Sequence, residues 1–272
     1  MARAPRRDFR ARYGPWAVVA GASQGLGEAY AGQVAALGLN VVLIARREGL
    51  LRALAERLTA AHGIETRVLA LDLAREDAAA VVERETDALD VGLLIYNAAR
   101  SVIGPFLDRP LDAHLDELAV NTRAPMALAY LLGRRMRSRG RGGIILMSSL
   151  ASAQGSALTA NYAATKAYNL VLAEGLWEEL RRQGLDVLAC VAGATSTPNY
   201  TASSPRGSGV GSATLTPQAV SAEALAALGR QPSVIPGRAN RASAFVMRRL
   251  LPRRTSVAIM GRVLRGMYGD AE

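Results

Sequence analysis

The stretch "WAVVAGASQGLGEAY", residues 16–30, passes from a short run of apolar and β-branched residues through a glycine-rich turn into a helical pattern. Glycines 21, 25 and 27 fall at that junction, where backbone can approach a phosphate closely and a helix N-terminus offers unpaired N–H groups and a partial positive charge. The site suits a pyrophosphate. Its spacing is G-x-x-x-G-x-G, and in a chain holding 26 glycines such a triplet alone says little. The position between a strand and a helix gives it weight.

Outward from this junction, apolar β-rich runs alternate with longer segments of helical period, the pattern of a parallel sheet wrapped by helices. Strands are expected at 16–20, 40–45, 66–72, 91–98, 143–149 and 186–192, with a short last strand around "PSVIPG" (232–237). Helices are expected at 27–38, 48–63, 74–86, over the long segment 112–139, and at 162–184 and 218–229. The fold class is therefore α/β, a three-layer doubly wound parallel sheet flanked by helices in a single domain. Residues 196–217 are rich in Ser, Thr, Gly and Pro and read as a long mobile loop. Pro252 should break any helix in the last segment.

Composition bounds what the chain does. With 272 residues, half of them hydrophobic, it can bury a large core. The net charge of +10 sits at the ends: five Arg face one Asp in residues 1–14, and nine Arg face two acids from 230 onward. Basic extensions at 1–14 and 241–272 flank a single domain over 15–240 that is close to neutral. They read first as solvated charge; peripheral contact with anionic lipid is a less favoured alternative, and no nucleic acid is expected. No apolar run reaches the length of a membrane span. One unpaired cysteine, Cys190, and no cleavable signal sequence point to a cytoplasmic location. His62 and His114 lack companion ligands, so no metal is expected.

The second strand ends "IARRE". An NAD-binding site usually places an acid there for the ribose 2′-hydroxyl, whereas a 2′-phosphate needs a cation. Ala45 fills the acid's place and Arg46 and Arg47 follow, which favours NADP(H) over NAD(H). The same arginines read alternatively as surface charge opening the next helix. Asp72 ends the third strand, placed to accept from an adenine amino group, and "YNAA" (96–99) ends the fourth, offering small side chains and the Asn97 amide.

At the chemical end stands "YAATK", residues 162–166, with the chain's only lysine among 32 arginines. On a helix, Tyr162 and Lys166 share a face about 6 Å apart along the axis. A compact, rotatable ammonium can touch ribose hydroxyls while standing beside a phenol, which a rigid guanidinium fork does less well. An ammonium and a nicotinamide cation should both lower the phenol's pKa and make Tyr162 a usable general acid or base. Ser149, ending the fifth strand, should lie at the same sheet edge and donate to a carbonyl oxygen as negative charge develops.

Taken in order, "GASQGLG", "NAA", "VNT", "MSS" and "YAATK" resemble the signatures of the short-chain dehydrogenase/reductase family over about residues 15–200. The resemblance implies a Rossmann-type fold binding NAD(P)(H), Ser149, Tyr162 and Lys166 as catalytic residues, and Asn121 as the holder of a water linking Lys166 to solvent. Cofactor contacts are expected from Gly21, Ser23, Gln24, Gly25, Leu26, Gly27, Arg46, Arg47, Asp72, Leu73, Asn97, Ala98, Ala99, Tyr162, Lys166, Gly193, Thr195 and Thr197. The chain departs from the family pattern at Ala20, Tyr96, Ala99 and Ala192, none of them a proton-transfer group. The broad pattern is similar to the β-ketoacyl-CoA and steroid reductase branch, which implies a lipophilic ketone or alcohol substrate and a homodimer or homotetramer built through long helices. In that family the loop, here 196–217, is the substrate loop, and Tyr200 with its neighbouring glycines is a candidate lid, or else part of an ordinary flexible loop. Two functions stand at this point: an NADPH-dependent carbonyl reductase, and a catalytically inactive NADP(H)-binding sensor or interaction protein of the same fold.

Overall fold

The computed structural model describes residues 6–203 and 214–269. Residues 204–213 of the expected substrate loop, and 1–5 and 270–272 of the basic ends, lie outside the described residues. Seven parallel strands form one sheet in the order β3-β2-β1-β4-β5-β6-β7. They are β1 (Trp16–Ala20), β2 (Asn40–Ala45), β3 (Thr66–Ala70), β4 (Val91–Tyr96), β5 (Gly142–Ser149), β6 (Leu185–Ala192) and β7 (Ser233–Val234). The helices are α1 (Arg6–Tyr13), α2 (Gly25–Ala36), α3 (Glu48–His62), α4 (Ala78–Glu85), α5 (Leu111–Leu118), α6 (Ala124–Ser138), α7 (Ala160–Leu180), α8 (Pro198–Ser203), α9 (Pro217–Ala227), α10 (Arg238–Phe245) and α11 (Arg253–Tyr268).

Central strands read as unbroken apolar runs because both their faces are covered. All five residues of β1 are buried. Val19 joins Tyr30, Val34 and Leu51 in the core on the α2/α3 face, while Val18 joins Leu94, Leu128 and Leu170 on the α6/α7 face. The chain order reverses between β2 and β4 on either side of β1, and parallel strands point all their carboxyl ends to one edge. A crevice opens there. The turns after β1 to β6 all open on this edge, which is why residues distant in sequence gather there.

The long helix expected over 112–139 is α5, a π-helical turn at Ala119–Arg123, and α6. Pro125 supplies the reason. It has no N–H to give to the carbonyl four residues back, that of Asn121, so the regular ladder cannot run through this point. In the π turn the Ala124 N–H reaches Ala119 O instead. The third strand stops at Ala70, two residues short of the expected end, although Leu71 N still donates to Ala45 O at 3.0 Å.

At the chain ends, α1 occupies part of the expected N-terminal extension and lies against the amino edge of the sheet. Phe9 and Tyr13 are buried, and the Tyr13 hydroxyl donates to Asp186 Oδ2 at 2.6 Å, an oxygen that Arg12 also engages. Towards the other end, α10 runs through a second π turn at Val246–Leu250 into Pro252, which caps α11, so the expected break is present.

Candidate active site

The glycine turn has the shape of a phosphate cradle. Gly21 sits at φ +81° with Ala98 so close that a Cβ would lie 2.7 Å from its backbone, and a Cβ on Gly27 would lie 2.0 Å from Gly21 O. Gly25, at φ +62°, opens α2, whose first turn receives no side-chain cap. The N-terminus of a helix offers unpaired N–H groups and a partial positive charge, as an anion would require. Asn97 Nδ2 ties the turn to β4 by donating to Gly21 O at 3.1 Å. Leu26 packs against the core behind the turn.

Beyond β2, Arg46 and Arg47 are both exposed, and Arg47 Nη2 donates to Ser23 Oγ at 2.8 Å. That contact brings a guanidinium and a hydroxyl together beside the glycine turn. Asp72 Oδ1 accepts from Ala74 N at 3.0 Å, which shapes the turn after β3, while Leu73 is buried. After β6, Thr195 Oγ1 donates to Gly193 O at 3.0 Å, and Thr197 stands over the first turn of α2, its methyl 3.0 Å from where a Gly25 Cβ would be. Ala98 and Ala99 follow β4 at the same edge. The residues present fit a dinucleotide, whose pyrophosphate the glycine turn and the start of α2 would hold.

Ser149 ends β5, and Tyr162 and Lys166 face each other from the first two turns of α7, with the Lys166 ammonium 5.5 Å from the phenol ring centre. Lys166 is buried and donates to Met147 O at 3.1 Å, while Ser148 Oγ fixes its backbone by donating to Lys166 O at 2.7 Å. Burial governs both titrating groups. It pushes the Tyr162 phenol up to about 12, against the opposing hydrogen bond from Ser149, and pulls the Lys166 ammonium down to about 8, against the attraction of Glu117. The sequence reading expected the ammonium to dominate and lower the phenol. In the protein alone desolvation dominates, because the same enclosure that brings the pair together removes water from both.

Asn121 lies in the π turn, fully buried. Its side chain donates to Arg100 O at 2.8 Å and Thr165 Oγ1 at 3.0 Å and accepts from Arg100 N at 2.8 Å. Its carbonyl, the one Pro125 leaves without a helical donor, accepts from Asn169 Nδ2 at 2.9 Å. Asn169, Asn161 and Glu117 were not singled out in the sequence, although each had a signal. Asn169 stands three residues beyond Lys166, Asn161 directly precedes Tyr162, and Glu117 lies one turn before Asn121. Tyr96, where the family pattern has Asn, donates its buried hydroxyl to Val120 O at 2.6 Å and so holds the π turn to β4. Among the described residues no cluster of His, Cys, Asp or Glu has the arrangement of a metal site.

The sheet order, the glycine cradle and the Ser-Tyr-Lys set on one edge define a nucleotide-dependent oxidoreductase of the Rossmann type. The short chain dehydrogenase family model matches residues 15–206, and the chain belongs to that family. It is 33% identical to a 7beta-hydroxysteroid dehydrogenase of Collinsella aerofaciens over 87% of this chain and 91% of that one. A solved 7beta-hydroxysteroid dehydrogenase, studied for its stereoselectivity, superposes with a TM-score of 0.88 at 31% identity, covering 93% of this chain and 98% of the other. A short-chain dehydrogenase from Sphingobium yanoikuyae in complex with NADPH has a TM-score of 0.74 at 29% identity, covering 85% and 92%. Members of the family bind a nicotinamide cofactor and act on small molecules. No described helix is long and apolar enough to cross a membrane.

Proposed function

We propose that this protein is an NADP(H)-dependent oxidoreductase that reduces a lipophilic ketone, or oxidises the corresponding secondary alcohol, with Tyr162 as general acid and base. The observation that carries the reading is the approach of Tyr162, Lys166 and Ser149 at the carboxyl edge of the sheet, beside the glycine turn. When bound, the nicotinamide supplies or takes up the hydride. Tyr162 gives its proton to the substrate oxygen in reduction and recovers it in oxidation. Ser149 donates a hydrogen bond to that oxygen as negative charge gathers on it. A phenol held near 12 by burial is protonated at neutral pH, the form that serves as the acid in reduction.

Arg46 and Arg47 would receive a 2′-phosphate, with Ser23 completing the pocket. A lipophilic substrate is supported by the steroid named for the similar proteins. The reading also includes a homodimer or homotetramer, supported by apolar side chains left exposed on α6 and α7: Met126, Tyr130, Tyr168 and Val171. The intact proton-transfer set argues against a non-catalytic NADP(H) sensor. Oxidation of NADPH against ketones graded by size and polarity tests the proposal: turnover of bulky apolar ketones supports it, and NADPH binding with no ketone reduced would replace it with the sensor.

A further inference from the structure

Glu117 is fully buried on α5, a carboxylate that the proposed chemistry does not use. Its two oxygens accept from two different parts of the site: Oε1 from Val102 N at 3.0 Å and Oε2 from Asn161 Nδ2 at 2.6 Å. Val102 belongs to the loop that leaves β4 beside the cofactor crevice, and Asn161 is the residue before Tyr162. Both partners are donors, so the ionised carboxylate is satisfied as it stands, and these bonds oppose the burial that raises its pKa. Among the described residues no ion pair involves Lys166, and its ammonium donates to the neutral Met147 carbonyl.

We propose that Glu117 is a positioning residue for the Tyr162–Lys166 pair, tying the loop after β4 to the start of α7 and setting a buried carboxylate beside the two groups. Its hydrogen bonds assign it the tie, and its burial on α5 sets its charge near the pair. Asn161 also donates to His114 O at 3.2 Å, so α5 grips α7 one residue ahead of the tyrosine, while Asn121 grips Thr165 one residue ahead of the lysine. The groups acting on the pair are Glu117 from α5, Ser149 from β5, Cys190 from β6 and Tyr268 from α11, with His114 acting on Glu117. Cys190, pushed up to about 12 by burial, is a neutral thiol. His114 Nε2 is engaged with Phe106 O at 3.1 Å. Glu117 is then the anion in this surround. Its charge acts with the same sign on both partners, raising Lys166 and Tyr162 alike.

The inference rests on the proposed function for its kinetic consequence but not for its direct test. Lys166 is the only lysine in the chain, so biosynthetic [ε-13C]lysine gives a single side-chain NMR signal whose pH titration reads that one ammonium in the intact protein. Glu117→Gln keeps the shape and removes the charge; its lysine midpoint is expected to fall by about one pH unit. The high-pH loss of ketone reduction should move downward with it. Glu117→Asp retains the charge and shortens the reach, so its midpoint should stay near that of the unaltered protein while kcat falls. If Glu117→Gln does not fold, Asn161→Ala cuts the tie at Oε2 and leaves the charge in place, so kcat should fall with KM little changed; an unchanged kcat in that variant overturns the proposal. An unchanged lysine midpoint in folded Glu117→Gln overturns it as well. A shifted midpoint in a protein that turns over no ketone leaves it standing and overturns the reductase reading instead.

Discussion

Tyr162, Lys166 and Arg46 with Arg47 carry the separate parts of the proposed chemistry, and each can be removed alone. Tyr162→Phe deletes one hydroxyl from a ring whose position is set by helix packing, so ketone reduction should fall by about 10²- to 10⁴-fold while NADPH binding, followed by cofactor fluorescence, changes little. Near-normal turnover in that variant would remove Tyr162 from the mechanism. The paired change Arg46→Ala and Arg47→Ala withdraws two exposed guanidiniums, one of them bonded to Ser23. It should weaken NADPH binding on the order of 10- to 100-fold and leave NADH binding nearly as it was, since charge-assisted bonds to a 2′-phosphate are the interactions lost. Equal weakening of both cofactors would make these arginines plain surface charge. The working pH follows from the two shifted groups. Reduction needs a protonated phenol beside a protonated ammonium, so activity holds below the Lys166 midpoint near 8 and declines as the pH rises through it.

Among the elements, the π turn between α5 and α6 positions the most and was the least legible. The apolar period of residues 112–139 continues through it, so a periodicity argument sees one helix. What interrupts the helix is local: Pro125 cannot donate to Asn121 O, and the freed carbonyl is met by Asn169 of α7. The turn is fastened to the sheet through the Tyr96 hydroxyl on Val120 O. Tyr96→Phe removes that bond and leaves a buried carbonyl under-satisfied, at a cost of about 1–3 kcal/mol, read as a lowered midpoint in urea unfolding. Activity should fall further than stability alone explains, because Asn121 moves with the turn. No change in either would mean that the turn is held by packing alone. Strand limits, by contrast, were readable to within a residue or two for β1, β2, β5 and β6, because a strand covered on both faces must be apolar throughout.

For the whole molecule, the exposed apolar band on α6 and α7 is the surface through which assembly is proposed. Val171, 67% exposed, and Tyr130, 60% exposed, should be covered in the oligomer. Val171→Arg is expected to lower the mass measured by light scattering towards that of a single chain, and an unchanged mass would place the contact elsewhere. The basic ends follow a different logic from the one their charge suggests. Read as charge, residues 1–14 look like a solvated arm. Phe9 and Tyr13 nevertheless fill the amino edge of the sheet, where Gly143 leaves room for the Tyr13 ring: a Cβ there would lie 2.9 Å from it.

By itself the sequence determined the α/β alternation, the crevice edge, the glycine cradle and the Ser149, Tyr162 and Lys166 set, because each depends on short-range spacing: a period of two or 3.6, a strand end, an offset of four. Only the tertiary structure decided what surrounds that set. Glu117 reaching Asn161, Asn169 taking the Asn121 carbonyl, and Tyr13 meeting Asp186 across 173 residues are contacts between elements far apart in the chain. So is the outcome that burial, more than the ammonium, sets the state of the phenol. Desolvation depends on everything packed around a group, and no local pattern of residues encodes it.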